Sequence, residues 1–256
     1  MIHPTAIVDP RAELAAGIEI GPYSIVGAGV RIGAGTRIGP HVVLKGPTTI
    51  GRDNRIFQFA SVGEDCQDKK YKGEPTELVI GDRNVIREGC TIHRGTVQDQ
   101  GITRIGDDNL FMAYVHVAHD CVVGSGTIFA NNATIAGHVH VGDGVILGGF
   151  TAVHQFVHIG SWAMTAFSSA VNQDVPAFVM VRGNMAEAHG MNFEGMKRRG
   201  YAPELVSALK RAYKTVYLRG LKIEDALAQL DDDAAVWPEV RLFADSIRAS
   251  TRGIVR

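Results

Sequence analysis

An aliphatic residue recurs at every sixth position over most of the chain. From Val8 the series runs Leu14, Ile20, Val26, Ile32, Ile38, Leu44, Ile50, Ile56 and Val62, ten consecutive positions without a miss. Glycine follows many of them, at Gly21, Gly27, Gly33, Gly39, Gly51 and Gly63. The phase resumes at Ile80, Ile86 and Ile92. After a one-residue slip it runs through Ile105, Phe111, Val117, Val123, Phe129, Ile135, Val141, Leu147, Val153 and Ile159. An alternating sheet repeats every ~2 residues and an amphipathic helix every ~3.6, so neither accounts for a period of six. A six-residue unit fits a short strand whose middle side chain points inward, followed by a turn in which glycine or asparagine tolerates unusual dihedrals. Three units close a triangular coil of about 18 residues, and coils stack at the strand spacing of ~4.8 Å, which predicts seven to eight coils and a prism roughly 35 Å tall.

Two segments break the period. "GEDCQDKKYKGEPTELV" places Asp68 and Glu74 at in-phase positions, where unpaired charges cannot be buried, so residues 63–79 are expected to bulge as a loop. "HRGTVQDQGITR" predicts a second loop over 93–104. After Ile159 the period decays and helical patterns take over. "PELVSALKRAYKTVYLRG" puts Leu205, Leu209, Ala212 and Val216 on one stripe, with Pro203 in its first turn and Gly220 at its end. "KIEDALAQL" and "PEVRLFADSIRAS" predict two further helices. The expected organisation is a β-helix over 1–190 and a small α-helical domain over 191–256.

Composition narrows the classes of function. A net charge of −1 gives no global field for nucleic acid or an anionic membrane. No apolar run approaches the ~20 residues of a membrane span. The start, "MIHPTAIVDPRAEL", lacks a basic segment followed by an apolar core and does not predict a signal peptide. Cys66, Cys90 and Cys121 are odd in number and form no CxxC, which suits a reducing compartment and argues against a thiolate zinc site.

Seven of the ten histidines fall between positions 93 and 158. Residues one coil apart stack, so Asp120 lies under His138, and His140 under His158. Val117, Ile135 and Val153 share one face, which gathers His116, His119, Asp120, His138 and His154. Three readings stay open for this cluster. Imidazoles on a polar face can simply bond one another. A metal site has a precedent in the hexapeptide-repeat carbonic anhydrases, although His116 and His119 are at odd offset on a strand and make a poor chelating pair. A general base is the third, because a histidine held by a carboxylate can deprotonate a hydroxyl.

The [LIV]-G-x4 pattern resembles the hexapeptide-repeat left-handed β-helix, and the handedness follows from that likeness alone. The stretches "QFASVGEDCQDKKYKGEPT", "TIHRGTVQ", "HVAHDCVVG", "ANNATIAGHVHV", "AVHQF", "QDVPAFV", "NFEGMKRRG" and "STRGIVR" resemble the UDP-N-acetylglucosamine O-acyltransferase family, which opens lipid A biosynthesis. The resemblance implies a cytoplasmic homotrimer with sites in grooves between prisms, and no metal or other cofactor. Its substrates are a 3-hydroxyacyl thioester on acyl carrier protein and UDP-N-acetylglucosamine, acylated on the glucosamine 3-hydroxyl. It further implies His119 as base, Asp120 as its orienting partner and the Gly137 N–H as oxyanion donor. Gln67, Asp68 and Lys70 are then expected on the sugar side, with His116, His138, His154 and Gln155 lining the cleft. Asn192, Glu194, Arg198 and Arg199 are expected near the nucleotide or the pantetheine phosphates. Phe167 aligns with the end of the acyl groove, where a phenyl ring shortens the space for the chain. Lys210, Arg211 and Lys214 share a helix face that suits an acidic carrier protein. The later N-acyltransferase of the pathway carries an extra domain before its repeats, whereas here the repeat begins by Val8. A purely structural or ice-binding β-helix predicts threonine ladders, which are missing from this sequence.

Overall fold

The computed structural model describes residues 1–256, and the six-residue units become strands of mostly two residues. In most two-residue strands the first residue faces out and the second is buried: Arg37 is exposed and Ile38 buried, and His116 is half-buried beside the buried Val117. Most turns between them place a left-handed residue at the corner, and Asp120, His138 and Phe156 take φ of +57°, +62° and +64° at one such corner. The strands assemble into three sheets of nine, eight and ten members, wound as a left-handed parallel β-helix. Stacked partners follow one another once per coil of three units, as in Phe111–Phe129–Leu147–Thr165.

The prism is taller than the seven to eight coils expected. The phase continues past Ile159 through Thr165 and Val171, hidden because its first member is polar. Thr165 is fully buried, yet its hydroxyl bonds Thr151 Oγ1 at 2.7 Å and accepts the Gly148 amide at 2.9 Å, which removes the cost of burying it. At the top, Glu187–Met191 pairs antiparallel with Val179–Arg182 and ends the sheet.

The two interruptions are insertions into otherwise regular coils. Val62 pairs with Ile92, and Ile92 with Val117, whereas the next partner of Val117 is Ile135, one regular coil on. The first insertion lengthens its coil by a whole number of units and leaves the phase intact. The second adds one unit and a single residue more, and that residue is the slip in the period. Buried Arg94 ties the loops together. Its guanidinium donates to the Gly46 and Gly63 carbonyls in the scaffold and to Asp65 and Tyr71 Oη in the first loop.

One outer face is unusual. Val85, Leu110, Ile128, Ile146, Met164 and Met180 stack in register on the outside of the third face, opposite the buried Ile86, Phe111, Phe129, Leu147, Thr165 and Val181. Along the adjoining edge stand the exposed rings of Tyr23, Phe59, Tyr114, Phe150 and Phe167.

Five helices follow: α1 (Phe193–Arg198), α2 (Pro203–Tyr217), α3 (Ile223–Ala228), α4 (Asp231–Val236) and α5 (Pro238–Arg248). Sequence patterning predicts α2, α3 and α5. The short α1 and α4 bury one residue each, Met196 and Ala234, and so show no apolar stripe. The stripe Leu205, Leu209, Ala212 and Val216 is buried. The tail is stitched back to the prism where Ile254 bridges Asp174, leaving Ile254 and Val255 buried.

Phe129 is fully buried with its ring 5.0 Å from Phe111. Phe129→Ala should therefore destabilise the prism by about 3–5 kcal/mol in a denaturant titration. A loss below about 1 kcal/mol would mean that the column does not hold the coils together.

Candidate active site

The stretch from His116 to Asp120 leaves a strand and turns a corner of the prism. The turn throws two side chains together. His119 Nδ1 lies 2.9 Å from Asp120 Oδ2, and the carboxylate is buried. Loop two supplies the remaining donors: the Thr96 amide reaches both oxygens at 2.9 and 3.0 Å, and Thr96 Oγ1 reaches Oδ2 at 2.6 Å. The Asp120 amide is held by Thr103 Oγ1 at 2.8 Å. Burial pushes the Asp120 carboxyl up, but the hydrogen bonds from His119 and Thr96 outweigh it and hold it below its usual range. An ionised carboxylate accepting from Nδ1 fixes the proton there, so Nε2 of His119 carries the free lone pair.

Gly137 lies against that nitrogen. A Cβ at Gly137 would fall within 2.6 Å of His119 Nε2, so only glycine lets the imidazole sit over this backbone. The Gly137 amide donates to no group of the chain. An imidazole acceptor and an unpaired backbone donor thus face the same space.

His138 stacks on Phe156 with ring centroids 4.4 Å apart and meets His119 edge-on at 5.0 Å. Its Nδ1 bonds Asp99 Oδ2 of loop two at 2.8 Å. His116 bonds Thr91 Oγ1 at 2.7 Å and meets the buried His93 edge-on at 4.9 Å. Of the five groups expected on one face, His119, Asp120 and His138 converge, with His116 adjoining. His154 is exposed, and its Nδ1 lies 3.1 Å from the Gln155 carbonyl and 3.4 Å from Arg252.

Gln67, Asp68 and Lys70 sit on loop one, where the Asp68 carboxylate accepts the Lys70 amide at 2.9 Å. Phe167 is 70% exposed on the aromatic edge, its ring against Phe150. It is not a core aromatic. Asn192 caps α1, accepting the Gly195 amide at 3.0 Å and donating to the Trp162 carbonyl at 3.3 Å, so its amide is already engaged. Glu194 and Arg198 are both exposed on α1, while the Arg199 guanidinium lies 3.7 Å over the Trp162 ring. Thr96, Asp99 and Thr103 are absent from the expected set. The insertion in loop two removes Thr96 and Asp99 from the regular register in which neighbours can be counted, whereas Thr103 already lies in the strand Ile102–Ile105, whose partners follow one regular coil on.

His119, Asp120 and His138 place one ligand atom each within 4.8 Å of one another, close enough to hold a metal ion. Their lone pairs argue otherwise. Asp120 Oδ2 already accepts from Thr96 and His119, and both histidines donate Nδ1–H to carboxylates. The donor set fits a hydrogen-bonded acid–base site better than a chelate.

Two known protein families match parts of the chain: "Udp N-acetylglucosamine O-acyltransferase; Domain 2" over residues 174–255 and "Bacterial transferase hexapeptide (six repeats)" over 102–137. The chain is 66% identical over 256 residues to the acyl-[acyl-carrier-protein]–UDP-N-acetylglucosamine O-acyltransferase of Azotobacter vinelandii, covering 100% of this chain and 99% of that one. It is 61% identical, with the same coverage, to the protein of that name from Pseudomonas aeruginosa. Among solved structures, LpxA from Acinetobacter baumannii superposes with a TM-score of 0.97 at 52% identity, covering 100% of this chain and 99% of that one. The UDP-N-acetylglucosamine O-acyltransferase of Moraxella catarrhalis gives 0.98 at 51%, again covering 100% and 99%.

The buried His93 yields a pH prediction. Burial, reinforced by His116, lowers its pKa from 6.5 to about 4. Between these values the unfolded chain takes up a proton that the folded chain refuses, so stability rises with pH across this window. Acidification from the upper to the lower of them should remove roughly 3 kcal/mol through this residue, and His93→Gln should flatten that slope in chemical denaturation. An unchanged slope would place His93 in contact with water.

Proposed function

The chain belongs to the UDP-N-acetylglucosamine O-acyltransferase family, and from that premise we propose that it moves a 3-hydroxyacyl group from acyl carrier protein to the glucosamine 3-hydroxyl of UDP-N-acetylglucosamine, the first step of lipid A biosynthesis. The observation that carries the reading is the His119–Asp120 pair set against the unpaired Gly137 amide. His119 Nε2 takes the proton of the sugar hydroxyl as its oxygen attacks the thioester carbonyl and a C–O bond forms. Asp120 steadies the resulting imidazolium. The tetrahedral oxyanion is met by the Gly137 N–H, the kind of donor whose loss costs about 2.7–4 kcal/mol in acyl transfer. Collapse breaks the C–S bond, and the imidazolium returns its proton to the departing thiolate. Atoms and charge balance among the two substrates and the imidazole alone.

We assign the substrate contacts as follows. Gln67, Asp68 and Lys70 on loop one face the sugar. His116, His138, His154 and Gln155 line the cleft, and Arg198 and Arg199 meet phosphate, with Glu194 beside them. Asn192 contributes by holding α1 in place through its cap. For the carrier protein, Lys214 lies on α2 with no acidic partner. Arg211 is already tied to Asp233 at 2.9 Å, and Lys210 lies 4.8 Å over the Phe193 ring, so Lys214 leads the docking charge.

The assembly we propose is a cytoplasmic homotrimer. The apolar ladder from Val85 to Met180 and the aromatic edge ending at Phe167 give one prism a face to set against its neighbour's histidine-bearing face. That contact is heterologous, and three copies close it into a ring. The acyl chain then runs between prisms, with Phe167 at its end. The three free buried thiols suit a reducing compartment.

Acyl transfer from a 3-hydroxyacyl carrier-protein series, read by mass, should occur with the wild type. It should fall by about 10²–10⁴ in His119→Ala, and as steeply in Gly137→Ala, whose methyl displaces the imidazole. Full activity in either variant removes the base assignment. Phe167→Gly should shift selectivity towards longer chains, and unchanged selectivity would place the groove's end elsewhere. Light scattering should give three times 27.5 kDa in solution, and an active monomer would contradict the shared groove.

A further inference from the structure

Loop two carries a second histidine–carboxylate pair beside the first. Thr96 holds Asp120 through its amide and hydroxyl, and the Asp99 amide closes a turn onto the Thr96 carbonyl at 3.3 Å. This turn delivers the Asp99 carboxylate to His138 Nδ1 at 2.8 Å. Asp120 Oδ2 is 4.0 Å from the same nitrogen and already accepts from Thr96 and His119, so Asp99 is the partner that matters. The His138 ring is otherwise fixed in its plane by Phe156 beneath it and by His119 at its edge. Its Nε2 makes no hydrogen bond within the chain.

We propose that Asp99 is a positioning residue for the acyl transfer, acting by accepting the Nδ1 proton of His138 and so fixing that imidazole in the tautomer whose Nε2 is a hydrogen-bond acceptor. The inference rests on the acyltransferase reading above. An imidazole held flat by stacking alone can carry its proton on either nitrogen. A carboxylate at Nδ1 removes that freedom, because two acceptors cannot face each other without a proton between them. With the proton at Nδ1, the side of His138 away from Asp99 accepts from a hydroxyl or amide N–H of the bound substrates and repels a carbonyl or phosphate oxygen. One short turn, Thr96 to Asp99, therefore sets the tautomers of both imidazoles, and a displaced loop two would disturb both together.

The test combines steady-state kinetics with the ¹⁵N resonances of histidine-labelled whole protein, the His138 signals being assigned with His138→Gln. Asp99→Ala should lower kcat on the order of tenfold, less than the loss of a direct base, with both KM values held within about twofold. His138 should change from a pure Nδ1–H pattern to mixed tautomers. Asp99→Asn keeps an amide oxygen that accepts the same proton, so it should recover most of the rate and the Nδ1–H pattern. If Asp99→Ala leaves kcat or the His138 resonances unchanged, or if Asp99→Asn is as impaired as Asp99→Ala, the proposal is overturned. A wild type that transfers acyl groups while His119→Ala does not keeps the reaction standing whichever way Asp99 behaves. An inactive wild type would instead remove the reaction itself, and this proposal with it.

Discussion

The chain's structure depends on one repeated burial: the aliphatic residue that each six-residue unit turns into the prism. A parallel strand of two residues is negligible alone, and it persists because its inward side chain stacks on those of the coils above and below. That stacking sets the register of three units per coil, and the register places residues far apart in sequence on neighbouring rungs. Asp120, His138 and Phe156 are such neighbours, each at a left-handed corner position. The site is thus a property of the coil geometry, and its precision comes from a scaffold that cannot shift one corner without shifting the stack.

Within that frame the buried Asp120 carboxylate organises the chemistry. It is a charge inside the protein, which is tolerable only because several donors converge on it. Three of those contacts come from Thr96, so loop two is bound to the scaffold through the same group that orients the proposed base. Arg94, just before it in the chain, binds loop one. The two insertions that break the repeat are joined to each other, to the prism and to His119 by buried polar groups. This explains how irregular segments can hold the residues proposed to face substrate on a rigid body.

Much of this is legible in the sequence, for reasons that can be assigned residue by residue. The column from Val8 to Val62 declares its period because every inward position is aliphatic. The next member after Ile159 is Thr165, and its polarity hides the last coils, since only the fold reveals the partners of its hydroxyl. The His119–Asp120–His138 cluster can be counted out at a spacing of one coil. Asp99 and Thr96 cannot, because loop two stretches the interval from Ile92 to Val117 beyond the regular one from Val117 to Ile135. Helix α2 shows its stripe, while α1 and α4 bury one residue each and give no stripe to read. The capping role of Asn192 is likewise invisible, since a cap depends on where the helix begins.

In this account the atom attacked, the base and the oxyanion donor share one corner of the prism. A crystal structure of the protein with its acylated sugar nucleotide tests that directly. The ester oxygen is predicted within about 3.2 Å of His119 Nε2 and the acyl carbonyl oxygen within about 3.1 Å of the Gly137 amide. An ester oxygen seated instead against His138 or His116, with His119 out of reach, would contradict it.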